Sequence, residues 1–164
     1  MSFGLVRTAG VAAAVVFCLA LPGRASAQWA EPQPTSASTI PAAQLIQPDE
    51  LNRLLRVHDA EKPLILQVGS RMMYDQAHIP GAEYAGAGSQ AEGIERLRGR
   101  VASLPRTTFI VLYCGCCPWN RCPNVGPAYG LLHEMGFNRV KVLYLAQNFG
   151  DDWVSKGFPV EGGH

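Results

Sequence analysis

The sequence predicts an α/β domain in which a mostly parallel sheet is covered by helices on both faces. Three short apolar runs, at residues 64–68, 109–113 and 140–145, have the length and composition of buried strands. Segments with helical spacing lie between these runs, so strands and helices alternate along the chain. This order favours a parallel sheet, because parallel strands need a crossover, usually a helix, to connect them.

Four segments have helical patterns. The first begins at Pro48 and carries acidic residues in its first turn. The second, at residues 91–104, places four apolar side chains on one face: Ile94, Leu97, Val101 and Leu104. The third has Pro127 near its first turn and ends at Gly136, and a short final helix ends at Gly157.

Residues 1–27 have the pattern of a secretory signal peptide. Arg7 supplies a basic start, residues 11–21 an apolar core, and the small residues ASA at positions 25–27 a cleavage site. The apolar core is too short to span a bilayer. We therefore expect an exported protein, periplasmic or secreted, with no stable membrane insertion after the signal is removed. The alternative is an uncleaved N-terminal anchor.

Length and charge limit the function classes of the remaining chain. Removal of the signal leaves 164 − 27 = 137 residues, the size of one domain. It also removes Arg7 and Arg24, so the net charge becomes 12 − 13 = −1 with histidines neutral. Such a chain gives no reason to expect nucleic-acid or anionic-membrane binding. Residues 28–41, rich in Pro, Ser and Ala, are expected to form a linker, and residues 42–164 the folded domain.

A cysteine-rich segment follows the second apolar run. Outside the signal peptide all cysteines fall within nine residues: Cys114, Cys116, Cys117 and Cys122. Such cysteines could tie the loop only to itself, which argues against a disulfide scaffold. Cys114 directly follows the predicted strand, at the edge where parallel sheets bind ligands. The loop then enters a predicted helix, whose N-terminal N–H groups and dipole lower a thiol pKa.

Three short motifs follow one another along the chain. AHIPGA at residues 77–82 resembles the G-H-I-P-G-A signature of rhodanese domains. IVLYC at residues 110–114, with the loop and helix after it, resembles the active-site segment. DDWVSKGFPVEGG at residues 151–163 resembles the closing segment of the family. The resemblance implies a three-layer sandwich, with helices on both faces of a central, mostly parallel sheet.

The resemblance also implies an activity. Rhodaneses carry sulfur as a cysteine persulfide, so we expect a sulfurtransferase that takes sulfane sulfur from a small anion such as thiosulfate. The acceptor would be a thiol or a cyanide-like molecule, and a protein thiol is a further candidate. This interpretation requires no cofactor and no metal.

The active-site segment departs from the family pattern. Gln67, Val68 and Gly69 stand where the family usually has Asp-Val-Arg, so an acidic and a basic residue are missing. The usual loop is Cys, four residues and Arg. Arg121 comes two residues late when counted from Cys114, but it has the usual spacing when counted from Cys116. The loop is therefore an expanded, thiol-rich variant.

These observations assign candidate roles within the loop. The position of Cys114 at the strand end makes it the expected sulfur carrier, and Cys116 is its rival. Cys117 and Cys122 each precede a proline and are expected to serve, at most, as resolving thiols. Arg121 is expected to bind a sulfonate-like anion, with a solvated loop charge as the alternative.

Three aromatic or imidazole side chains are also given expected roles. Trp119 either covers a substrate pocket or packs beneath the loop. His78 of the AHIPGA motif is expected to order a tight turn rather than act as a base, and Trp153 to anchor the core.

Two other function classes remain open. Cys114 and Cys117 form a C-x-x-C pair suited to a thiol–disulfide oxidoreductase, although the rest of the chain does not match a thioredoxin. Clustered soft thiolates suit copper(I) or zinc, although the second C-x-x-C of a zinc knuckle is missing.

Overall fold

An all-parallel sheet of five strands forms the centre of the structure, a computed structural model that describes Met1 and residues 39–162. The strands are β1 (Leu45–Ile46), β2 (Leu64–Gln67), β3 (Glu83–Tyr84), β4 (Ile110–Tyr113) and β5 (Val140–Leu143). Their order across the sheet is β1-β5-β4-β2-β3. β4 is therefore the central strand, paired in parallel with β2 on one side and β5 on the other.

Four α-helices connect the strands, namely α1 (Pro48–Arg56), α2 (Arg71–Gln76), α3 (Ala91–Val101) and α4 (Val125–Glu134), and α5 (Phe149–Asp152) follows the last strand. Local chemistry sets several of their ends. The Ser70 hydroxyl accepts the Met73 N–H at the start of α2, and the Asn148 side chain accepts the Asp151 N–H at the start of α5. Gly136, with φ +86°, follows the last turn of α4 in the left-handed conformation that glycine adopts without penalty.

The sheet has an apolar core on each face, because alternate side chains of a strand point in opposite directions. One core packs the sheet against α3 and α4, and its buried residues include Leu66, Leu97, Leu112, Leu132 and Val142. The other core packs the sheet against α1 and α5, and its buried residues include Leu51, Ile65, Val111, Leu143 and Trp153. The predicted three-layer α/β class is confirmed, with every strand pair of the sheet parallel.

The sequence pattern located the long elements and missed the short ones. All three predicted strands are present and buried, and the four predicted helices lie where their patterns indicated. The final one is divided into α5 and a short 3₁₀ turn, Val154–Lys156, that ends at Gly157. The two-residue strands β1 and β3 and the six-residue helix α2 are too short to show a periodicity.

The AHIPGA motif and the closing segment of the domain contact each other. His78 and Glu161 exchange two backbone hydrogen bonds of 2.8 Å, and the Gly81 N–H donates to the Glu161 carboxylate. The His78 ring stacks on Tyr74 at 4.0 Å and its Nδ1 lies 2.7 Å from the Tyr74 carbonyl oxygen. His78 therefore orders this turn, as expected. Trp153 is fully buried and donates from its indole nitrogen to the Pro159 carbonyl.

The predicted signal peptide and residues 28–38 of the predicted linker lie outside the described residues, so export and the domain boundaries stay predictions. Among the helices that are described, none has both the length and the apolar character needed to cross a membrane. Residues 39–162 belong to one compact unit.

Candidate active site

The site lies at the carboxyl end of the central strand. Cys114 directly follows β4 and is 3% exposed. Its side chain belongs to the same core as Leu112, on the face covered by α3 and α4. The neighbouring strand ends at the same level, because the Val68 N–H donates to the Tyr113 carbonyl at 2.8 Å. The parallel arrangement thus places the start of the cysteine loop at the edge where the sequence predicted a site.

The loop gathers four free thiols into one cluster. The Sγ atoms of Cys114, Cys116, Cys117 and Cys122 all lie within 4.8 Å of one another. The Cys116 sulfur is 3.0 Å from that of Cys114 and 3.1 Å from that of Cys117. Cys114 and Cys122 are buried, whereas Cys116 and Cys117 are half-buried. Cys116 is therefore a thiol that both contacts the cluster and remains accessible from outside.

Gly115 allows the backbone to make a tight turn between Cys114 and Cys116. Its φ of +80° lies in the left-handed region, which side chains other than glycine's rarely adopt. A Cβ at this position would also lie 2.7 Å from the Phe149 side chain, and the Phe149 N–H donates to the Gly115 carbonyl at 3.0 Å. The start of α5 thus holds the turn that brings the two sulfurs together.

Asn124 is a buried amide aimed at the cluster. It is 5% exposed and directly precedes α4. Its Nδ2 donates to the Cys114 sulfur at 3.2 Å and lies 3.7 Å from the Cys116 sulfur. Its Oδ1 accepts the Ser89 N–H at 3.0 Å, which fixes the amide so that its NH₂ group faces the sulfurs.

Gln67 connects the two strand ends beneath the loop. This buried side chain accepts the Gly69 N–H at 3.2 Å and donates to the Cys114 carbonyl at 3.1 Å. A neutral amide therefore stands where the resembled family usually has a carboxylate. Its hydrogen bonds hold the backbone of Cys114 in place without adding charge to the cluster.

Hydrogen bonds within the cluster shift the pKa values of its thiols in opposite directions. The pKa of Cys116 is lowered, first because the Cys114 thiol donates to its sulfur, and further by the thiols of Cys122 and Cys117 and the amide of Asn124. Donation to Cys116 is also the main reason that the pKa of Cys114 is raised, and burial adds to it. Burial raises the pKa of Cys117.

The helix start contributes to the same cluster. The pKa of Cys122 is raised overall: the Cys114 thiol and the backbone N–H groups of Asn124 and Val125 lower it, but the hydrogen bond with Cys116 and burial outweigh them. The N–H groups at the start of α4 therefore act on Cys122, whereas the sequence position suggested Cys114. Negative charge on the cluster is stabilised both by these N–H groups and by the helix dipole.

The architecture matches solved structures, although no family model and no curated protein matches the sequence. The rhodanese-like domain of the Alr3790 protein from Anabaena sp. is 26% identical, with a TM-score of 0.55 over 73% of this chain and 79% of that one. This chain contains a rhodanese-like domain.

Two further structures share the fold of this rhodanese-like domain. The BH2092 protein of Bacillus halodurans matches with a TM-score of 0.56 and 22% identity, over 73% of this chain and 77% of that one. An anaerobic ergothioneine biosynthesis enzyme of Chlorobium limicola, crystallised with its natural substrate trimethyl histidine, is 25% identical with a TM-score of 0.53. This chain covers 28% of the Chlorobium enzyme.

Arg121 and Trp119 follow the thiols in the same loop of the rhodanese-like domain. Arg121 is exposed, and its guanidinium makes no hydrogen bond or ion pair within residues 39–162. Trp119 is half-buried, lies 5.1 Å from the Tyr144 ring and donates its backbone N–H to Ala146. This geometry fits packing beneath the loop. The anion role of Arg121 and the substrate role of Trp119 stay predictions.

Two residues of the site, Asn124 and Gln67, were not identified from the sequence. Asn124 was visible only as a polar residue just before a predicted helix. Its role depends on Ser89, which is 35 positions away in the chain. In the sequence, Gln67 is recognisable only as an amide at the position where rhodanese domains usually have an aspartate. Its hydrogen bond to the Cys114 carbonyl spans 47 positions. Neither partner can be inferred from local spacing.

We expect Asn124→Ala to raise the pKa of Cys116, because one donor to the thiolate cluster is removed. A hydrogen bond to a charged group contributes about 1.5 kcal/mol, so the midpoint of the pH–rate profile for alkylation should rise by about one pH unit. Iodoacetamide labelling of a variant that keeps only Cys114 and Cys116, followed by mass spectrometry, measures this profile.

Asn120→Ala is the matched control for that change, since Asn120 is an exposed amide of the same loop. Its profile should overlay that of the parent protein. A profile for Asn124→Ala that also overlays the parent would show that the amide does not act on the thiolate.

Proposed function

We propose that this rhodanese-like domain is a sulfurtransferase that carries sulfane sulfur as a cysteine persulfide. The fold supports a domain of the sulfur-transfer type, and one observation supports the finer proposal. A half-buried thiol, Cys116, lies at the carboxyl end of the central strand and receives hydrogen bonds from neighbouring thiols and an amide. Those donors can stabilise a thiolate before transfer and the negative persulfide after it.

Cys116 fits the carrier role better than Cys114, which the sequence position favoured. Cys114 is almost fully buried, and its hydrogen bond with Cys116 raises its pKa. Cys116 is accessible, and its pKa is lowered by its neighbours. It also keeps the four-residue spacing to Arg121 that the family pattern has. Both cysteines therefore remain candidates, and we propose Cys116.

The loading step follows from these roles. The Cys116 thiolate attacks the outer sulfur of thiosulfate, the S–S bond of thiosulfate breaks, and sulfite leaves with the bonding electron pair. The product is a persulfide on Cys116. We propose that the exposed guanidinium of Arg121 binds the sulfonate end of the donor, because a guanidinium donates to such oxygens from a planar fork. Cyanide or a thiol then takes the outer sulfur.

The test uses residues 28–164, fully reduced and free of metal. Addition of thiosulfate alone should release one sulfite per chain, and thiosulfate added together with excess cyanide should yield thiocyanate. Protein whose thiols have first been blocked with iodoacetamide is the control and should release no sulfite. Absence of sulfite from the unblocked protein, with thiosulfate and with an organic persulfide as alternative donors, would refute the proposal.

A soft-metal site is the second candidate, because four sulfurs lie within 4.8 Å of one another. Tetrathiolate coordination at about 2.3 Å from zinc would need only small movements of these side chains. Native mass spectrometry after addition of zinc or copper(I), with a chelator competition, measures this binding. A metal retained against the chelator, together with no sulfite release, would favour metal binding over sulfur transfer.

The oxidoreductase alternative has less support. In a thioredoxin-type site the C-x-x-C pair opens a helix, but Cys114 and Cys117 lie well before α4, which begins at Val125. The sulfur that meets the N–H groups of this helix belongs to Cys122.

A further inference from the structure

We infer that the cluster discharges its own persulfide: Cys114 attacks the sulfur of Cys116, hydrogen sulfide is released, and a Cys114–Cys116 disulfide remains. This inference rests on the proposed persulfide chemistry and adds the fate of the sulfur. It implies a second class of co-substrate, an external dithiol that reduces the disulfide after each cycle.

The first support is distance. The Cys114 and Cys116 sulfurs are 3.0 Å apart, and a disulfide bond is about 2.05 Å long, so closure requires a movement of about 1 Å. The turn at Gly115 already directs both side chains to the same point. Cys114 is therefore placed to react with Cys116 before any thiol from solution can reach it.

The second support is the hydrogen bonding around the attacking sulfur. The Asn124 Nδ2 donates to the Cys114 sulfur at 3.2 Å, so a donor faces this sulfur beside Cys116. Cys114 gives up its proton to solvent as it attacks, the new bond forms between the Cys114 and Cys116 sulfurs, and the S–S bond of the persulfide breaks on the far side of Cys116. The outer sulfur departs with the electron pair of that bond and leaves as hydrosulfide.

The atoms and electrons of the cycle balance. Thiosulfate and two thiols give sulfite, hydrogen sulfide and one disulfide, so the two electrons that reduce the sulfane sulfur come from Cys114 and Cys116. A dithiol reductant, either a small molecule or a protein of the thioredoxin type of chemistry, returns them by thiol–disulfide exchange. Without that reductant the domain would complete a single turnover.

The other two thiols fit the resolving role less well. Cys117 is adjacent to Cys116, and successive Cα atoms are about 3.8 Å apart, below the range of roughly 4.4–6.8 Å that disulfides span. Cys122 is buried and lies six positions from Cys116, with its sulfur within 4.8 Å of the others. The Cys114 sulfur, at 3.0 Å from that of Cys116, is in contact with it already.

The experiment is a single turnover without any acceptor. Reduced, metal-free residues 28–164 are mixed with thiosulfate under argon, and sulfite, sulfide and intact mass are followed in time. We expect one sulfite and one sulfide per chain, and a final loss of about 2 Da that maps to the peptide containing Cys114 and Cys116. The rate of sulfide release should not depend on protein concentration, because the attack is intramolecular.

Serine variants separate the roles. Cys114→Ser should release sulfite but hold the sulfur, with a stable gain of about 32 Da and sulfide release reduced at least about tenfold. Asn120→Ala, at an exposed amide of the same loop, is the matched control, and it should still end with a disulfide and one sulfide per chain. Because these outcomes concern products rather than rates, a partly destabilised variant still reports them.

Each other outcome has a distinct meaning. Sulfite without sulfide from the wild-type protein, with a lasting gain of about 32 Da, would overturn the inference and leave the sulfurtransferase proposal standing. Sulfide release lost in Cys122→Ser but kept in Cys114→Ser would overturn the assignment of Cys114. Release of neither sulfite nor sulfide would refute the proposed function itself.

Discussion

Cys116→Ser should abolish sulfite release from thiosulfate, with a loss of at least about a thousandfold, because a serine hydroxyl at neutral pH is not a nucleophile for sulfur. The hydrogen bonds that lower the pKa of Cys116 make it the thiol that ionises first in the cluster. In its absence the remaining accessible thiol is Cys117, whose pKa is raised by burial. Pre-steady-state sulfite release at pH 7 measures the effect.

The pH dependence of loading provides an internal check on that result. Because the pKa of Cys116 is lowered, the reactive thiolate should persist as the pH falls below the usual thiol pKa of about 8.5. Loading of the wild-type protein should therefore stay nearly constant from about pH 8 down to about pH 6. A rate that falls about tenfold per pH unit over this interval would indicate an ordinary thiol.

Cys114→Ser is the control for the Cys116 variant, and it should still release one sulfite per chain. The reverse pattern, with loading lost in Cys114→Ser and kept in Cys116→Ser, would restore the assignment made from strand position. Circular dichroism of both variants establishes that the fold is retained.

The sequence located the site more reliably than it assigned roles within it. A continuous apolar run predicted β4, and the carboxyl end of a parallel strand is where such folds bind ligands, so the position of Cys114 followed from local pattern. The relative pKa values of the thiols could not be predicted from local pattern. They depend on the hydrogen bonds among the sulfurs, which are set by the turn at Gly115 and the amide of Asn124.

In the fold, too, some elements could be predicted from local sequence and others depend on tertiary contacts. Runs such as β2 and β5 are mostly apolar, with one polar residue each, because both faces of the sheet are covered, and this makes them visible in the sequence. β1 and β3 contain two residues each and pair only with one neighbour at the sheet edge. Their pairing is decided by tertiary contacts, so no local pattern predicts them.

A close backbone contact between Gly88 and Asn124 joins the fold to the site. The Gly88 N–H donates to the Val68 carbonyl at 3.0 Å, beside the end of β2. A Cβ built on Gly88 would lie 2.1 Å from the Asn124 carbonyl oxygen and 3.3 Å from the Ala128 side chain. Only a residue without a side chain allows the start of α4 to approach this segment.

Gly88→Ala should therefore destabilise the domain by about 3 kcal/mol, because the backbone of Asn124 has to move to admit the methyl group. For a domain of this size the melting temperature should fall on the order of 10 °C. The displaced amide should also donate less well to the Cys114 and Cys116 sulfurs, so the midpoint of the alkylation profile should rise as it does in Asn124→Ala. Thermal unfolding and the pH–rate profile measure the two effects on one sample.

Gly130→Ala supplies the contrast, because Gly130 lies inside α4 and a Cβ there meets no atom within 4 Å. This variant should be unchanged or more stable by about 0.5–1 kcal/mol, since alanine favours a helix over glycine, and its alkylation profile should match the wild type. Equal melting temperatures for Gly88→Ala and Gly130→Ala would show that the contact with Asn124 does not hold α4 in place. If Gly88→Ala lost stability without any change in the alkylation profile of Cys116, the position of the Asn124 amide would have no effect on the Cys116 thiolate.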